Sequence, residues 1–302
     1  MHDLMTVTQT RIHRNLSVAV RRADEDRGFC AGIGRLAVRS LYAELTLYPK
    51  PGLVSLVDNG SHEDMTASTF LRSLFALRHY FIRITKAGSE SAPFPTLKRL
   101  GLEAEQKMMV ATDGINTHRG AIFCLGLLCA AIGRCHAERV ELSPAAIRAM
   151  LLTQWGEALA AHMRVCTSGS HGLQVAARYA ASGAREEAAL GLPSVFDVAL
   201  PMLEQTLIAG RSWRRARVDA LFALMGHISD TNVYHRGGEI GAQIVWQHAR
   251  DFLRHGGTAH PDWEARAKEC HRIFVVRKLS PGGAADLLAA ACFVHAACNR
   301  RA

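Results

Sequence analysis

The sequence predicts an all-α fold, one multi-helix bundle whose connections are polar and rich in glycine. Three observations lead there. Aromatic residues make up 7% of the chain while alanine and leucine are abundant, and those two favour helices where strands draw on aromatic and β-branched side chains. Apolar residues recur at helical spacing along most of the chain. Period-two alternation is almost absent, the one short β-like run being Ile273–Val276. A balance of 49% hydrophobic and 21% charged residues over 302 positions is that of a globular protein with a large core.

Residues 1–27 have few large apolar groups and many charges, which predicts a mobile or loosely docked arm. From Phe29 the pattern changes. Leu36, Val38, Leu41, Leu45 and Leu47 mark a helix that stops at Tyr48-Pro49-Lys50-Pro51-Gly52, where two prolines forbid continuation. Further helices are predicted at about Thr69–Ile84, Leu100–Ala111, Gly120–Ile132, Pro144–Met163, Leu173–Ala181, Val195–Ala209, Arg217–Ile228, Ile240–Leu253, Trp263–Phe274 and Ala284–Ala297. Ser143-Pro144 and Ser280-Pro281 place a serine before a first-turn proline, and Ser194 with Asp197 fits a capping pattern. Pro201 predicts a kink or break in its helix. No low-complexity linker divides the chain, so residues 28–302 form one helical domain.

The net charge of +9 favours polyanionic partners. The basic residues are dispersed, and the two dense runs, Arg11–Arg22 and Arg211–Arg217, do not alternate with aromatic residues as a nucleic-acid stacking platform would. Phosphorylated small molecules and an acidic protein therefore stand ahead of nucleic acid. Eight cysteines occur without a CxxC pair, the usage of buried, reduced thiols. No secretory h-region is visible, and the apolar run Gly120–Gly133 is too short to span a bilayer. The expectation is a cytoplasmic protein without nucleic-acid or membrane partners.

Function is suggested by four polar islands, at Asp58–Asp64, Asp113–Gly120, Thr167–Gly172 and Asp230–Gly238. Each holds glycine and histidine beside an apolar helix, and three hold carboxylate. Any one of them is accounted for by an ordinary interhelix loop, with Asp64 or Asp230 as a helix cap. Their recurrence points to loops converging at one end of a bundle, where carboxylates, cations and backbone N–H groups would line a nucleotide cleft. Lys50 is fixed in its rigid turn. Ser280-Pro281-Gly282-Gly283 opens a helix where N–H groups are free to approach an anion, although a plain helix start accounts for the same residues. Asp286 lies one turn further on, and Arg185-Glu186-Glu187 offers a cation beside carboxylates.

Taken in order, these segments are similar to the triphosphoribosyl-dephospho-CoA synthase family. The resemblance runs from about Leu41 to Phe293 and rests on Pro49–Val54, Gly60–Met65, Ile115–Gly120, Ala184–Ala188, Asp230–Asn232 with Arg236–Gly238, and Leu279–Leu288. Tyr48 before the Pro-Lys-Pro-Gly turn and Ser55 after Leu-Val look like the malonate decarboxylase-associated branch. Citrate-lyase members tend to carry threonine and aspartate at those places. Ser55 cannot replace a carboxylate, which brings Asp58 forward.

The resemblance implies an enzyme, a pentosyltransferase with ATP as donor and 3′-dephospho-CoA as acceptor. The acceptor's ribose 2′-hydroxyl attacks C1′ of ATP and adenine leaves. The product is the prosthetic-group precursor that a downstream transferase loads onto an acyl carrier protein. An oxocarbenium-like centre calls for carboxylates, the hydroxyl for a base and the departing purine for an acid. The triphosphate calls for cations and Mg²⁺. Asp58, His62, Asp64 and Asp230 are the implied catalytic candidates. Lys50, Asn116, Thr117, His118, Arg119, Arg185, Asn232, Arg236, Ser280, Gly282 and Gly283 are the implied nucleotide contacts. Asp64, Glu186, Asp230 and Asp286 are the implied metal ligands. A Mg²⁺-dependent helical N-glycosidic hydrolase, or a basic non-catalytic module that docks a carrier protein or RNA, are the alternatives.

Overall fold

The computed structural model describes the backbone over residues 2–164 and 183–300, and the side chains over 24–163 and 183–300. Among the described residues every regular element is helical. In chain order they are α1 (His2–Leu45), α2 (Ala67–Ser89), α3 (Phe94–Ala111), α4 (Arg119–Glu138) and α5 (Pro144–Arg164), then α6 (183–189). A π-helical turn (Ser194–Ala199) leads into α7 (Leu200–Ile208), followed by α8 (Trp213–Met225), α9 (Thr231–Arg254), α10 (Trp263–Val276) and α11 (Gly282–Cys298). The predicted helix at Leu173–Ala181 and the island Thr167–Gly172 lie outside the described residues.

Two helices form the centre. α4 is buried along almost its whole length and packs against α2, α3, α5 and α11. α11 packs in turn against α1, α8 and the π-helical turn. Both are built mainly from alanine, leucine, cysteine and glycine, which leave room for neighbours on every side. Gly88 shows how close the approach is, since a Cβ there would overlap the backbone of Ala130. The seven cysteines among the described residues are free thiols, six of them buried.

Several expectations are corrected. α4 runs 20 residues and is long and apolar enough by composition to cross a membrane, although 72% of its apolar window is buried within the protein. The run Ile273–Val276 is the last turn of α10, because two of its four residues pack inward and the helix supplies the backbone bonds. α3 begins at Phe94, with Pro93 at its N-cap and another proline in its first turn. The island Asp230–Gly238 is the start of α9, whose backbone breaks at Gly238 (φ 60°, ψ −157°).

The cap signals divide. Ser143 accepts from the Ala146 N–H as expected (3.1 Å). Ser194 does not cap: its hydroxyl donates to Glu187 (2.5 Å), and Asp197 pairs with Arg148 (2.8 Å). At α11 the N-cap position is Pro281, with no side-chain cap bond of its own. Pro201 does not break its helix: the backbone stays right-handed helical through Ala199 and Leu200, and only the winding changes, from π to α, just before the proline. α1 continues unbroken through residues 2–27, and Phe29 stacks on His136 of α4 (3.8 Å between ring centroids).

Candidate active site

The starts of α4, α9 and α11 meet around one cavity of about 800 Å³. Two carboxylates hold them together. Asp230 is the N-cap of α9, and one of its oxygens accepts from the Asn232 N–H (2.9 Å). The other accepts from the Ala284 N–H in the first turn of α11 (3.0 Å). One buried carboxylate therefore caps two helices. Gly283 keeps room for it, since a Cβ there would lie 3.0 Å from Asp230 Oδ2. Burial raises the Asp230 carboxyl above its ordinary value, opposed by the backbone N–H groups of both helices.

Asp286 does the same between α11 and α4. It accepts from the Ala121 N–H at the start of α4, and a Cβ on Gly120 would overlap its Oδ2. Its carboxyl is held well above the ordinary range, first by burial and then by the neighbouring carboxylates of Glu44 and Asp230. Helix N-termini carry partial positive charge, and here three of them face the two acids. Two carboxyls in one cavity, both raised by burial, suit proton transfer.

Other predicted residues join them on the cavity wall: Asn116, Arg119, Arg185, Glu186 and Asn232. Asn116 Oδ1 accepts from the Arg119 N–H (3.2 Å), and the Arg119 side chain reaches Glu105 (3.2 Å). His162 also lines the cavity, its pKa lowered by burial and then by Arg185 and Lys98. The opposite wall, built from α2, α3 and α4, is mostly apolar, with Lys98 and Glu105 of α3 on it. Among the described residues no three His, Cys, Asp or Glu side chains form a ready metal cage.

The remaining predicted residues lie off this wall. Lys50 is buried at 1% exposure, and its ammonium donates to the Glu44 carboxylate (2.5 Å) and carbonyl (3.0 Å). Burial lowers its pKa, with Glu44 acting in the opposite sense. Its charge is thus spent on Glu44 rather than offered to a phosphate. Sequence reasoning missed Glu44, although an acidic residue three positions after buried Leu41 and next to buried Leu45 is a visible break in an apolar helix face. His118 is buried beside this pair. Its Nδ1 meets Ser73 Oγ (2.7 Å), while its Nε2 and Thr117 Oγ1 have no hydrogen-bond partner. Burial, and then Lys50, push the His118 pKa down to about 3.

A second polar cluster sits at the approach to α11. Arg236 donates to His62 Nδ1 (2.9 Å) and to the Ser61 carbonyl (3.1 Å). Because a guanidinium only donates, Nδ1 accepts, and the His62 proton resides on Nε2, which donates to Ser280 Oγ (2.7 Å). Burial and then Arg236 lower the His62 pKa to about 4. Both ring nitrogens are therefore engaged in holding the loop to α9 and α11. Asp64 lies 3.7 Å from His62. Asp58 accepts from the Gly60 N–H (2.9 Å) and faces His271 (3.4 Å). Asn232 connects the two regions, since a Cβ on Gly282 would lie 2.8 Å from its amide nitrogen.

Comparison with known proteins follows the same segments. The profile of the ATP:dephospho-CoA triphosphoribosyl transferase family matches residues 30–302. A probable 2-(5″-triphosphoribosyl)-3′-dephosphocoenzyme-A synthase of Acinetobacter calcoaceticus is 40% identical over 259 residues, covering 86% of this chain and 88% of that protein. Proteins of the same description from Vibrio cholerae serotype O1 (35% identical, 87% of each chain) and Pseudomonas fluorescens (40% identical, 84% of this chain and 87% of the other) are similar over the same span. No solved structure matches.

Proposed function

Because the chain belongs to the ATP:dephospho-CoA triphosphoribosyl transferase family, a family of pentosyltransferases, we propose that the cavity at the three helix starts is where the two substrates meet. The observation that carries this reading is the pair Asp230 and Asp286, set in one cavity beside Arg119 and Arg185. C1′ of ATP becomes electron-poor as its bond to adenine breaks, and nearby carboxylates stabilise such a centre. Asp286, its carboxyl raised by burial and by the carboxylates of Glu44 and Asp230, carries a proton for the departing purine. Asp230 takes the proton of the attacking 2′-hydroxyl, its carboxylate set on the cavity wall among the backbone N–H groups of Asn232, Val233, Gly283 and Ala284.

Arg119, Arg185, Asn116 and Asn232 hold the triphosphate by charge-assisted and neutral hydrogen bonds. Mg²⁺ suits this place. A Mg²⁺ ion is commonly held by one or two carboxylates together with substrate phosphates, so a three-residue cage is not needed. Glu186 offers the oxygen donor, and the ion supplies neutralisation of phosphate charge. Lys50, Asp58, His62, Asp64, Arg236 and Ser280 support the site by fixing the loops that enter α9 and α11.

Tyr48 and Ser55 favour the malonate decarboxylase-associated branch. Ser55 accepts from the Val57 and Asp58 N–H groups (3.1 and 3.2 Å), a loop-forming role in place of a carboxylate. The product passes to a downstream transferase for an acyl carrier protein, and the reaction belongs in the cytoplasm. Chromatography of ATP incubated with dephospho-CoA tests the reading. It expects free adenine and a heavier dephospho-CoA derivative, with Arg119→Ala and Arg185→Ala raising the KM for ATP more than that for the acceptor. Adenine release that needs no acceptor indicates hydrolysis instead.

A further inference from the structure

The cavity wall contains one glycine without a structural reason. Gly101 lies inside α3, facing the cavity. Its φ is not positive, and a Cβ there would meet only Tyr80 Oη, at an ordinary 3.8 Å. Glycine weakens a helix interior relative to alanine, so this position gives up stability for space that no described residue fills. The other cavity glycines differ: Gly120 and Gly283 make room for Asp286 and Asp230, and a Cβ on Gly183 would meet Thr231 at 3.3 Å.

The space beside Gly101 is bounded by Phe94, Leu97, Leu102, Phe123 and Leu127, with Lys98 and Glu105 one turn away on the same helix face and Glu105 paired to Arg119. The phenol of Tyr80 donates to the Ile122 carbonyl (2.9 Å) and so presents its ring. Leu127 is eight residues along α4 from Arg119, a rise of roughly 12 Å from the polar end. Leu102 is 55% exposed, placing the mouth of this lobe at the protein surface.

Resting on the function proposed above, we infer that the lobe beside Gly101 is the subsite for the pantetheine arm of dephospho-CoA. Substrate chemistry selects this group. The adenine of ATP is bonded to the carbon under attack, and the acceptor's adenine is borne by the ribose that attacks. Both must lie within a sugar's width of the carboxylates. The pantetheine arm alone is separated from the reaction centre by a diphosphate. It is uncharged and long, with methylenes and a gem-dimethyl group between its hydroxyl and two amides, the kind of remote group whose binding serves to position a reacting one.

The test is steady-state kinetics of Gly101→Ala and Gly101→Leu, with thermal midpoints measured alongside. A Cβ at this position meets only Tyr80 Oη among the described residues, and both side chains improve helix propensity, so neither variant should melt below wild type. Gly101→Leu should raise the KM for dephospho-CoA by about tenfold or more, the effect of overfilling an apolar substrate pocket, with Gly101→Ala between it and wild type. The KM for ATP should stay unchanged. 4′-Phosphopantetheine, which carries the arm without a nucleoside, should compete with dephospho-CoA in wild type and lose that competition in Gly101→Leu. An increase confined to the KM for ATP, equal competition in both proteins, or unchanged kinetics in Gly101→Leu overturns the assignment while leaving the proposed reaction standing. Absence of adenine release from wild type removes the reaction and this subsite together.

Discussion

Replacing Asp230 with asparagine separates its structural work from its chemistry. Asparagine caps a helix nearly as well as aspartate, so the start of α9 should hold. The start of α11 should not. Asp230 uses one oxygen for the Asn232 N–H and the other for the Ala284 N–H, whereas an amide has only one. Whichever way it turns, one buried N–H faces an NH₂ group, at a cost of about 1–3 kcal/mol. The lost charge removes roughly 0.3–1 kcal/mol more from each helix start. Relief of the burial penalty that raises the Asp230 carboxyl acts in the opposite direction. The net expectation is a loss of about 2 kcal/mol, or roughly 4 °C in Tm. Urea unfolding at neutral pH measures it, with Asp230→Ser as companion because serine caps α9 but is too short to reach α11. An asparagine variant within about 0.5 kcal/mol of wild type, the ordinary range for a surface change, would refute the double cap. Turnover assayed well below the lowered Tm then isolates any proton-transfer role.

Lys50→Ala strands the Glu44 carboxylate in the core and should cost about 3–5 kcal/mol, while Lys50→Met with Glu44→Leu should recover most of it; thermal unfolding of the three proteins decides. His62 and His118 have folded pKa values lowered to about 4 and about 3. A base with a depressed folded pKa contributes stability that is present above its unfolded value near 6.5 and lost as pH falls through the folded one. Stability should therefore decline between about pH 6.5 and 3, and a His62→Gln, His118→Gln double variant should flatten that decline in urea melts taken across the range. Asp286 has the opposite sign, because its folded pKa is raised. Its contribution is fully present below the unfolded value and is lost as pH rises through the folded one. Asp286→Asn should thus match or exceed wild-type stability at neutral pH while turnover drops about a hundredfold or more; lower stability with intact turnover would count against an acid at this position.

The apolar period made most of the helices legible, because α4, α5, α10 and α11 bury residues at the spacings the sequence displays. It failed where a helix start is polar by function. The first turns of α9 carry Asp230, Asn232 and Arg236 toward other elements, so their composition resembles a loop although their backbone is helical. The islands signalled a site without showing which side of α11 each would reach. Asp58, His62 and Asp64 settle at the approach to that helix, and Asp230 and Asp286 within the cavity. Lys50 looked like a nucleotide contact because the partner that buries it, Glu44, is hidden in an otherwise apolar helix face. Gly101 carried no readable signal, since a glycine within a helix acquires meaning only when the space beside it is known.

Carboxylates in the floor of a site for two polyanions look at first like a conflict. On the proposed reaction, the donor triphosphate and the acceptor diphosphate would both be repelled by an ionised Asp230, while Asp286 holds its proton. The three helix starts change that balance. Their N–H groups already offset the two acids at short range, and Arg119 is largely exposed, at the end where the proposed reaction would bring the phosphates. The negative charge is left close to the sugar carbon that turns cationic as adenine departs. Its stabilisation is therefore strongest in the transition state and weakest for either substrate at rest, which is the difference a catalyst needs. A cleft lined by arginine alone would bind both phosphates more tightly and leave the developing cation without a partner.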